Sequence, residues 1–228
     1  MMSKITPSKT YFGQFDGQFI EDVHQLLAWG YQDAKTRIHV PLNNKDKQET
    51  AITGFIAEAI EDRIDNLNRP DWCIFYSVSD DPPARHATKS GRSRPRSDLT
   101  LKSNILGGPK FIFEAKRLKK GSYSVGGYTG AEGMECFVSG KYASRYDEAG
   151  MLGYIQSDSL EYWQQTVKKK IATTANELSL IPPQQNIHII DAFPLEWVSH
   201  HQREDVGRDI AIYHILLDCR SQNSPASQ

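Results

Sequence analysis

The chain has 228 residues, a formal net charge of −1, 39% hydrophobic residues and 24% charged residues. These values are typical of a globular protein with one sizeable core, and they exclude collagen-like, coiled-coil and wholly disordered chains. We expect one domain over residues 1–220 and a disordered polar tail over residues 221–228. Because the apolar runs are too short for a membrane span and the first residues lack a signal-peptide core, we expect a cytoplasmic protein without a membrane partner.

Two common classes of site find no support in the sequence. Cys73, Cys136 and Cys219 are odd in number and widely spaced, which argues against a disulfide framework and against a zinc site. Neither GKS, GKT nor GxGxxG is present, so a nucleotide-binding phosphate loop is not expected.

The first half of the chain predicts two amphipathic helices, over residues 18–34 and 47–66. On the second helix, Glu49 falls within the apolar stripe, whereas Glu58 falls on the opposite side. Glu49 therefore either interacts with the helix dipole or approaches a buried site, and Glu58 takes that place if the register differs.

The apolar run over residues 72–78 predicts a buried central strand, which leads into a basic loop over residues 84–96. A hairpin follows, with strands beginning near Asp98 and Phe111 and a Gly-Gly-Pro turn between them. Strand alternation places Glu114 and Lys116 on the same side, and antiparallel pairing places Asp98 opposite them. Two carboxylates and an amine should therefore converge.

This convergence predicts a metal site or a salt-bridged strand end facing solvent. Asp98, Glu114 and the carbonyl of Ala115 offer the oxygen ligands that Mg²⁺ or Mn²⁺ prefers. Lys116 could then orient and help deprotonate a water molecule, or neutralise charge on a phosphate.

Basic residues cluster around the two isolated carboxylates. Between Arg85 and Lys120 there are eleven basic and two acidic residues, which favours either a polyanionic ligand or a solvated loop. The residues expected to bind nucleic acid are Arg92, Arg94, Arg96, Arg117, Lys119 and Lys120.

The second half predicts an irregular stretch over residues 121–150 with one short helix near residues 135–138. Helix is expected over residues 151–178, and strands over residues 186–192 and 210–218. The sheet should then have about five strands, in an α/β fold.

The hairpin resembles the active-site hairpin of the PD-(D/E)XK nuclease superfamily, with Asp98 as the first acidic residue and Glu114-Ala115-Lys116 as E-x-K. The superfamily's Pro-Asp is replaced here by Ser97-Asp98. The resemblance implies a restriction-endonuclease-like core and an Mg²⁺-dependent DNA endonuclease, including an anti-phage effector with an ATPase, helicase or sensor partner. It also implies a supporting role for Glu49, and for Gln156 or Tyr154 after the E-x-K strand.

Ser199, His201, Arg203 and His214 are similar to a motif of bacterial defence-associated nuclease-like proteins, which implies phosphate contacts or a structural network. Two alternatives remain open: a catalytically inactive nucleic-acid-binding or adaptor module of the same fold, and a junction resolvase. Nucleases of this kind often form homodimers that cut both strands, but the sequence specifies no interface.

Overall fold

The computed structural model describes residues 9–38, 48–83, 96–105 and 108–221, with side chains from residue 17 onward. Seven strands are present in this part of the chain: β1 (Tyr76–Asp80), β2 (Leu99–Ser103), β3 (Lys110–Leu118), β4 (Glu148–Ile155), β5 (Leu180–Asn186), β6 (Trp197–His201) and β7 (Ile210–Asp218). They form one sheet in the order β1-β2-β3-β4-β7-β6-β5. Strands β3, β4 and β7 run parallel, and the neighbouring pairs on both sides are antiparallel. The α/β class is confirmed, and the predicted number of about five strands is wrong.

Helices flank this mixed sheet, and their bounds are α1 (Lys9–Ile38), α2 (Gln48–Asp65), α3 (Val125–Thr129), α4 (Glu135–Val138) and α5 (Leu160–Thr173). One core joins α1 and α2 to Leu99, Phe113 and Ala115, and a second core joins α5 to Ile112 and Leu118. Because neighbouring residues of a strand point to opposite faces, these two cores lie on opposite sides of the sheet. None of the helices in the described ranges is both long and apolar enough to cross a membrane.

Helices α1 and α2 confirm the two predicted helices and pack closely at Gly30. A Cβ atom at this position would lie 2.9 Å from the carbonyl oxygen of Ile56, a contact that only glycine avoids. The close approach allows α2 to lie against the sheet, with Ile52, Ile56 and Ile60 buried. This packing fixes the start of α2, where Glu49 lies.

The prediction of helix over residues 151–178 is wrong in its first part, because β4 extends to Ile155 and α5 begins only at Leu160. Strand β4 lies between two parallel neighbours and is buried on both faces. Such a strand is apolar throughout, so its pattern does not distinguish it from a buried helix. The Ser159 side chain accepts a hydrogen bond from the Tyr162 N–H and caps the true start of α5.

Two further strand predictions are wrong, and both concern the strands at the edges of the sheet. Residues 71–75 form a 3₁₀ turn, and β1 begins at Tyr76 as an edge strand rather than a central one. The predicted strand over residues 186–192 is replaced by β5, which contains Pro182 and Pro183. An edge strand tolerates these prolines, and the pairing of β5 with β6 shifts register between Ile181 and Gln185. The last strand, β7, and the short helix α4 are confirmed.

Candidate active site

The site forms at the start of β2, where β3 continues past the last residue that pairs with β2. Leu99, the first residue of β2, pairs with Phe113 of β3, which places Asp98 level with Glu114. Strand β3 continues to Leu118 and remains paired with β4 on its other side. From Ala115 onward, the backbone groups on the β2 side of β3 therefore need hydrogen-bond partners other than β2.

Two carboxylates take the place of the missing strand. The N–H of Ala115 donates to Asp98 Oδ2 at 2.7 Å, and the N–H of Arg117 donates to Glu49 Oε2 at 3.1 Å. In an extended strand, the N–H and C=O of one residue point to the same edge. The carbonyl of Ala115 is therefore directed to the edge that both carboxylates occupy.

Lys116 joins the remaining carboxylate to this edge. Its Nζ donates to Glu114 Oε1 at 2.9 Å and to Glu49 Oε1 at 3.1 Å. The side chain of Glu114 is 7% exposed, compared with 16% for Lys116 and 27% for Glu49. The structure thus brings together the four side chains that the sequence analysis proposed for catalysis: Asp98, Glu114, Lys116 and Glu49.

Burial decides how these groups hold protons. It raises the pKa of Glu114 to about 8, and the nearby Asp98 carboxylate adds to the rise. Burial also raises the pKa of Asp98, against the opposing effects of the Lys116 ammonium and the Ala115 N–H. Burial lowers the pKa of Lys116, but Glu114, Glu49 and Asp98 together raise it above its usual value. Lys116 is therefore a cation beside these carboxylates, and Glu114 is the group that holds a proton near neutral pH.

The oxygen atoms at this edge fit a hard divalent cation. Glu114 Oε2 is buried, and no N–H or O–H group of the described residues donates to it. When Glu114 is neutral this oxygen carries the acid proton, and a hydrogen bond between the two carboxyls lowers the pKa of Asp98. Together with Asp98 and the Ala115 carbonyl, Glu114 would offer a cation only oxygen ligands. No group of three or more His, Cys, Asp and Glu side chains that could hold a metal ion occurs among the described residues, so a cation here would depend on two carboxylates and a backbone oxygen.

Gln48, which the sequence analysis missed, joins two of the residues that it named, Arg117 and Gln156, in a polar cluster behind the site. Gln48 Oε1 accepts hydrogen bonds from Arg117 Nη1 at 3.1 Å and from Gln156 Nε2 at 3.2 Å. This cluster ties the start of α2, which carries Glu49, to the ends of β3 and β4. The position of Gln48 directly before Glu49 is the only sequence signal that pointed to it. Tyr154, the other candidate suggested by the resemblance, is buried and its hydroxyl contacts Thr53 Oγ1 at 2.9 Å.

The residues expected to bind nucleic acid have different surroundings. Arg92 and Arg94 lie outside the described residues. Arg96 forms an ion pair with Asp81 at 2.6 Å on the surface, and Lys119 and Lys120 are exposed after the end of β3. Arg117 is only 8% exposed, and its guanidinium lies 3.7 Å from the centre of the Tyr123 ring.

The alternative carboxylate on α2 is also placed by the structure. Glu58 Oε2 pairs with Arg37 Nη1 at 2.7 Å, and both side chains are exposed. Glu58 therefore belongs to the contact between α1 and α2, whereas Glu49 is the α2 carboxylate at the site.

The Ser199 motif forms a buried structural network. Ser199 Oγ lies 2.7 Å from His201 Nε2 and 2.8 Å from His214 Nε2, while His214 Nδ1 lies 3.0 Å from the Tyr128 hydroxyl. His201 Nδ1 lies 2.7 Å from the Leu178 carbonyl, so it must carry a proton.

The proton on His201 Nδ1 determines which atom donates in each of the other hydrogen bonds of this network. Burial lowers the pKa of His201 to about 4 and holds that of His214 well below its usual value, so both rings are neutral. Ser199 then donates to His201, His214 donates to Ser199, and Tyr128 donates to His214. Arg203 is 2% exposed and donates to backbone carbonyls, including those of Ala143 and Tyr146. Of the two roles that the motif implied, the structure shows the structural one.

No family model, curated protein or solved structure matches this chain. Its function must therefore be inferred from the geometry of the chain's own residues. The most informative part of that geometry is the cluster at the start of β2.

Proposed function

We propose that this protein is a metal-dependent nuclease of the PD-(D/E)XK type, with a restriction-endonuclease-like core, that hydrolyses phosphodiester bonds in DNA. The observation that carries the proposal is the meeting of Asp98, Glu114, Lys116 and Glu49 where β3 continues beyond β2. Clusters of buried carboxylates with displaced pKa values around one amine are more common at active sites than on ordinary surfaces.

The residues at the site divide into those that would hold a cation and those that act beside it. Asp98, Glu114 and the Ala115 carbonyl would hold Mg²⁺ or Mn²⁺. A bound ion of this kind supplies Lewis-acid activation of a phosphoryl oxygen and lowers the pKa of water. Glu114 would release its proton when the site is filled, because a nearby positive charge favours the carboxylate form.

Lys116 acts as a hydrogen-bond donor. Its carboxylate neighbours raise its pKa, so it directs its ammonium protons to a phosphate oxygen or to the attacking water. Glu49 positions Lys116 and holds the backbone of Arg117, and therefore acts through its neighbours.

The deciding experiment is a cleavage assay on plasmid, linear duplex, single-stranded DNA and RNA, with and without Mg²⁺. We expect Mg²⁺-dependent cleavage of DNA and its loss by a factor of about 100 or more in Lys116→Ala and in Asp98→Ala. Glu58→Ala is a matched control, because it removes an exposed carboxylate from the same helix as Glu49. Cleavage by Lys116→Ala at the parent rate would refute the assigned roles.

The second candidate is a nucleic-acid-binding or adaptor module that performs no chemistry. It is favoured by the ion pairs of Lys116 with Glu49 and Glu114, which already balance part of the site's negative charge. Thermal melting separates the two functions, because an ion that binds the folded state in excess must raise its melting temperature. A rise with Mg²⁺ or Mn²⁺ that disappears in Asp98→Asn supports the nuclease, and an unchanged melting temperature supports the adaptor.

A further inference from the structure

A polar surface continues from the candidate active site across β1 and β2. Lys102 pairs with Lys110, and Thr100 pairs with Ile112, so these side chains share one face of the sheet. Every second residue of β3 points to the same face of the sheet. Glu114 and Lys116 therefore share this face with Lys110 and Ile112. Ser77 and Ser79 extend the face onto β1, where they pair with Lys102 and Thr100.

A cavity of about 240 Å³ lies over this face, and we call it the basic groove. Its second wall comes from the segment after α4, which contributes Lys141 and Arg145. The described lining contains four cationic side chains and several hydroxyl groups, but no carboxylate. Two regions far apart in the sequence thus bring positive charge to one concave surface.

The four cations are not neutralised within the described part of the protein. None of Lys102, Lys110, Lys141 and Arg145 forms an ion pair with a described residue. A larger cavity of about 610 Å³ shares Lys110 and Arg145, but Asp147, Glu148 and Asp209 also line it. The smaller groove is therefore the one that suits an anion.

The basic groove leads directly to the candidate active site. Ser97, which lines it, is the residue before Asp98, and Ile112 is two residues before Glu114 on the same face. Tyr142 lies beside the groove; burial raises its pKa, and the nearby charges of Glu114 and Asp98 raise it further. From Lys110 to Glu114, β3 rises by about 13 Å, which corresponds to about four base-pair steps of a duplex.

We infer that the basic groove binds the sugar-phosphate backbone of a nucleic acid on one side of the bond to be cut, an inference that rests on the proposed nuclease function. Lysine and arginine side chains and serine or threonine hydroxyls are the groups that commonly contact phosphate oxygens. Lys119 and Lys120 lie beyond the other end of the E-x-K segment, so the cluster of carboxylates lies between two basic contacts. The substrate strand then follows β3 from the groove, past the carboxylates, towards these lysines.

The test measures binding separately from cleavage. Fluorescence anisotropy with a short labelled DNA duplex, its single strand and an RNA of the same sequence is recorded in EDTA at several salt concentrations. We expect Lys102→Ala/Lys110→Ala, and equally Lys141→Ala/Arg145→Ala, to weaken binding by about tenfold or more and to reduce the slope of log affinity against log salt by about 2. The Lys169→Ala/Lys170→Ala double variant on α5 removes the same charge elsewhere and should bind like the parent. Lys102→Arg/Lys110→Arg should also bind like the parent, because it keeps the charge.

The outcomes separate this inference from the proposed function. Parent-like affinity and salt slope in both alanine double variants, with unchanged melting temperatures, would overturn the groove whether or not the protein cleaves DNA. Weakened binding in these variants supports the groove even if the parent cleaves nothing with Mg²⁺, a result that would instead refute the nuclease. Equal weakening in the α5 control would show that only net charge matters and would also overturn the groove.

Discussion

Replacing Glu114 by glutamine is expected to remove much of the pH dependence of folding stability between about pH 6 and about pH 9. The glutamine side chain has nearly the same shape, and its oxygen can still accept the hydrogen bond from Lys116. What it removes is a titrating group whose pKa burial and the Asp98 carboxylate raise to about 8.

The sign follows from the direction of the shift. The folded protein holds a proton on Glu114 that the unfolded chain releases above its ordinary pKa of 4.5. The resulting stabilisation is fully present below that value and is lost as the pH rises through about 8. If Glu114 titrates alone, lowering the pH from about 9 to about 6 stabilises the folded state by ~2.7 kcal/mol, an upper limit because Asp98 shares the titration.

Denaturant unfolding in EDTA at several pH values measures this effect, with the fluorescence of the buried Trp163 and Trp197 as the signal. The free energy of unfolding of the parent should rise as the pH falls across this range, whereas that of Glu114→Gln should change much less. Glu58→Gln, which alters an exposed carboxylate, should follow the parent. Parallel curves for the parent and Glu114→Gln would refute the assignment of a neutral Glu114.

Three further substitutions separate structural roles from catalytic ones. Ser199→Ala should destabilise the fold by about 1–3 kcal/mol, because it leaves buried imidazole nitrogens without a partner, while nucleic-acid affinity stays unchanged; weaker binding without lost stability would contradict the network. Glu49→Gln should reduce cleavage by about 10–100-fold with little change in KM, and a loss as large as that of Asp98→Ala would indicate direct contact with the reacting groups. Asp98→Asn, which keeps an acceptor for the Ala115 N–H, should melt at a higher temperature than Asp98→Ala, although both lose metal-dependent cleavage; equal melting temperatures would contradict the backbone role of Asp98.

The sequence predicted the hairpin part of the site well because its contacts are local. Asp98 and Ala115 are 17 residues apart, and turn chemistry with strand alternation nearly determines their pairing. Glu49 and Lys116 are 67 residues apart, and no local pattern determines that contact. The periodicity of α2 left Glu49 with two interpretations, and only the packing of α2 against the sheet places it beside Lys116.

The errors in the fold occurred where the surroundings of a segment, rather than its composition, decide its structure. Strand β4 is enclosed by strands and helices, so its apolar run has no alternation to reveal it. Strand β5 contains two prolines, which a local interpretation treats as a break but which an edge position permits. The Ser199 motif likewise has the same sequence whether its side chains bind phosphate or form a buried network. Only the burial seen in the structure distinguishes these two roles.

A purely structural explanation accounts for part of the site but not for all of it. Asp98 and Glu49 accept hydrogen bonds from backbone groups that β2 leaves unpaired, which a strand end requires in any protein. Glu114 does not pair with the backbone in this way, and it lies buried beside the Asp98 carboxyl, which raises its pKa and shares a hydrogen bond with it. An arrangement of this kind costs stability that an apolar residue at the same position would retain. A cation at the meeting point of Asp98 and Glu114 would offset that cost, which is why Glu114, more than the strand-end contacts, supports a catalytic interpretation.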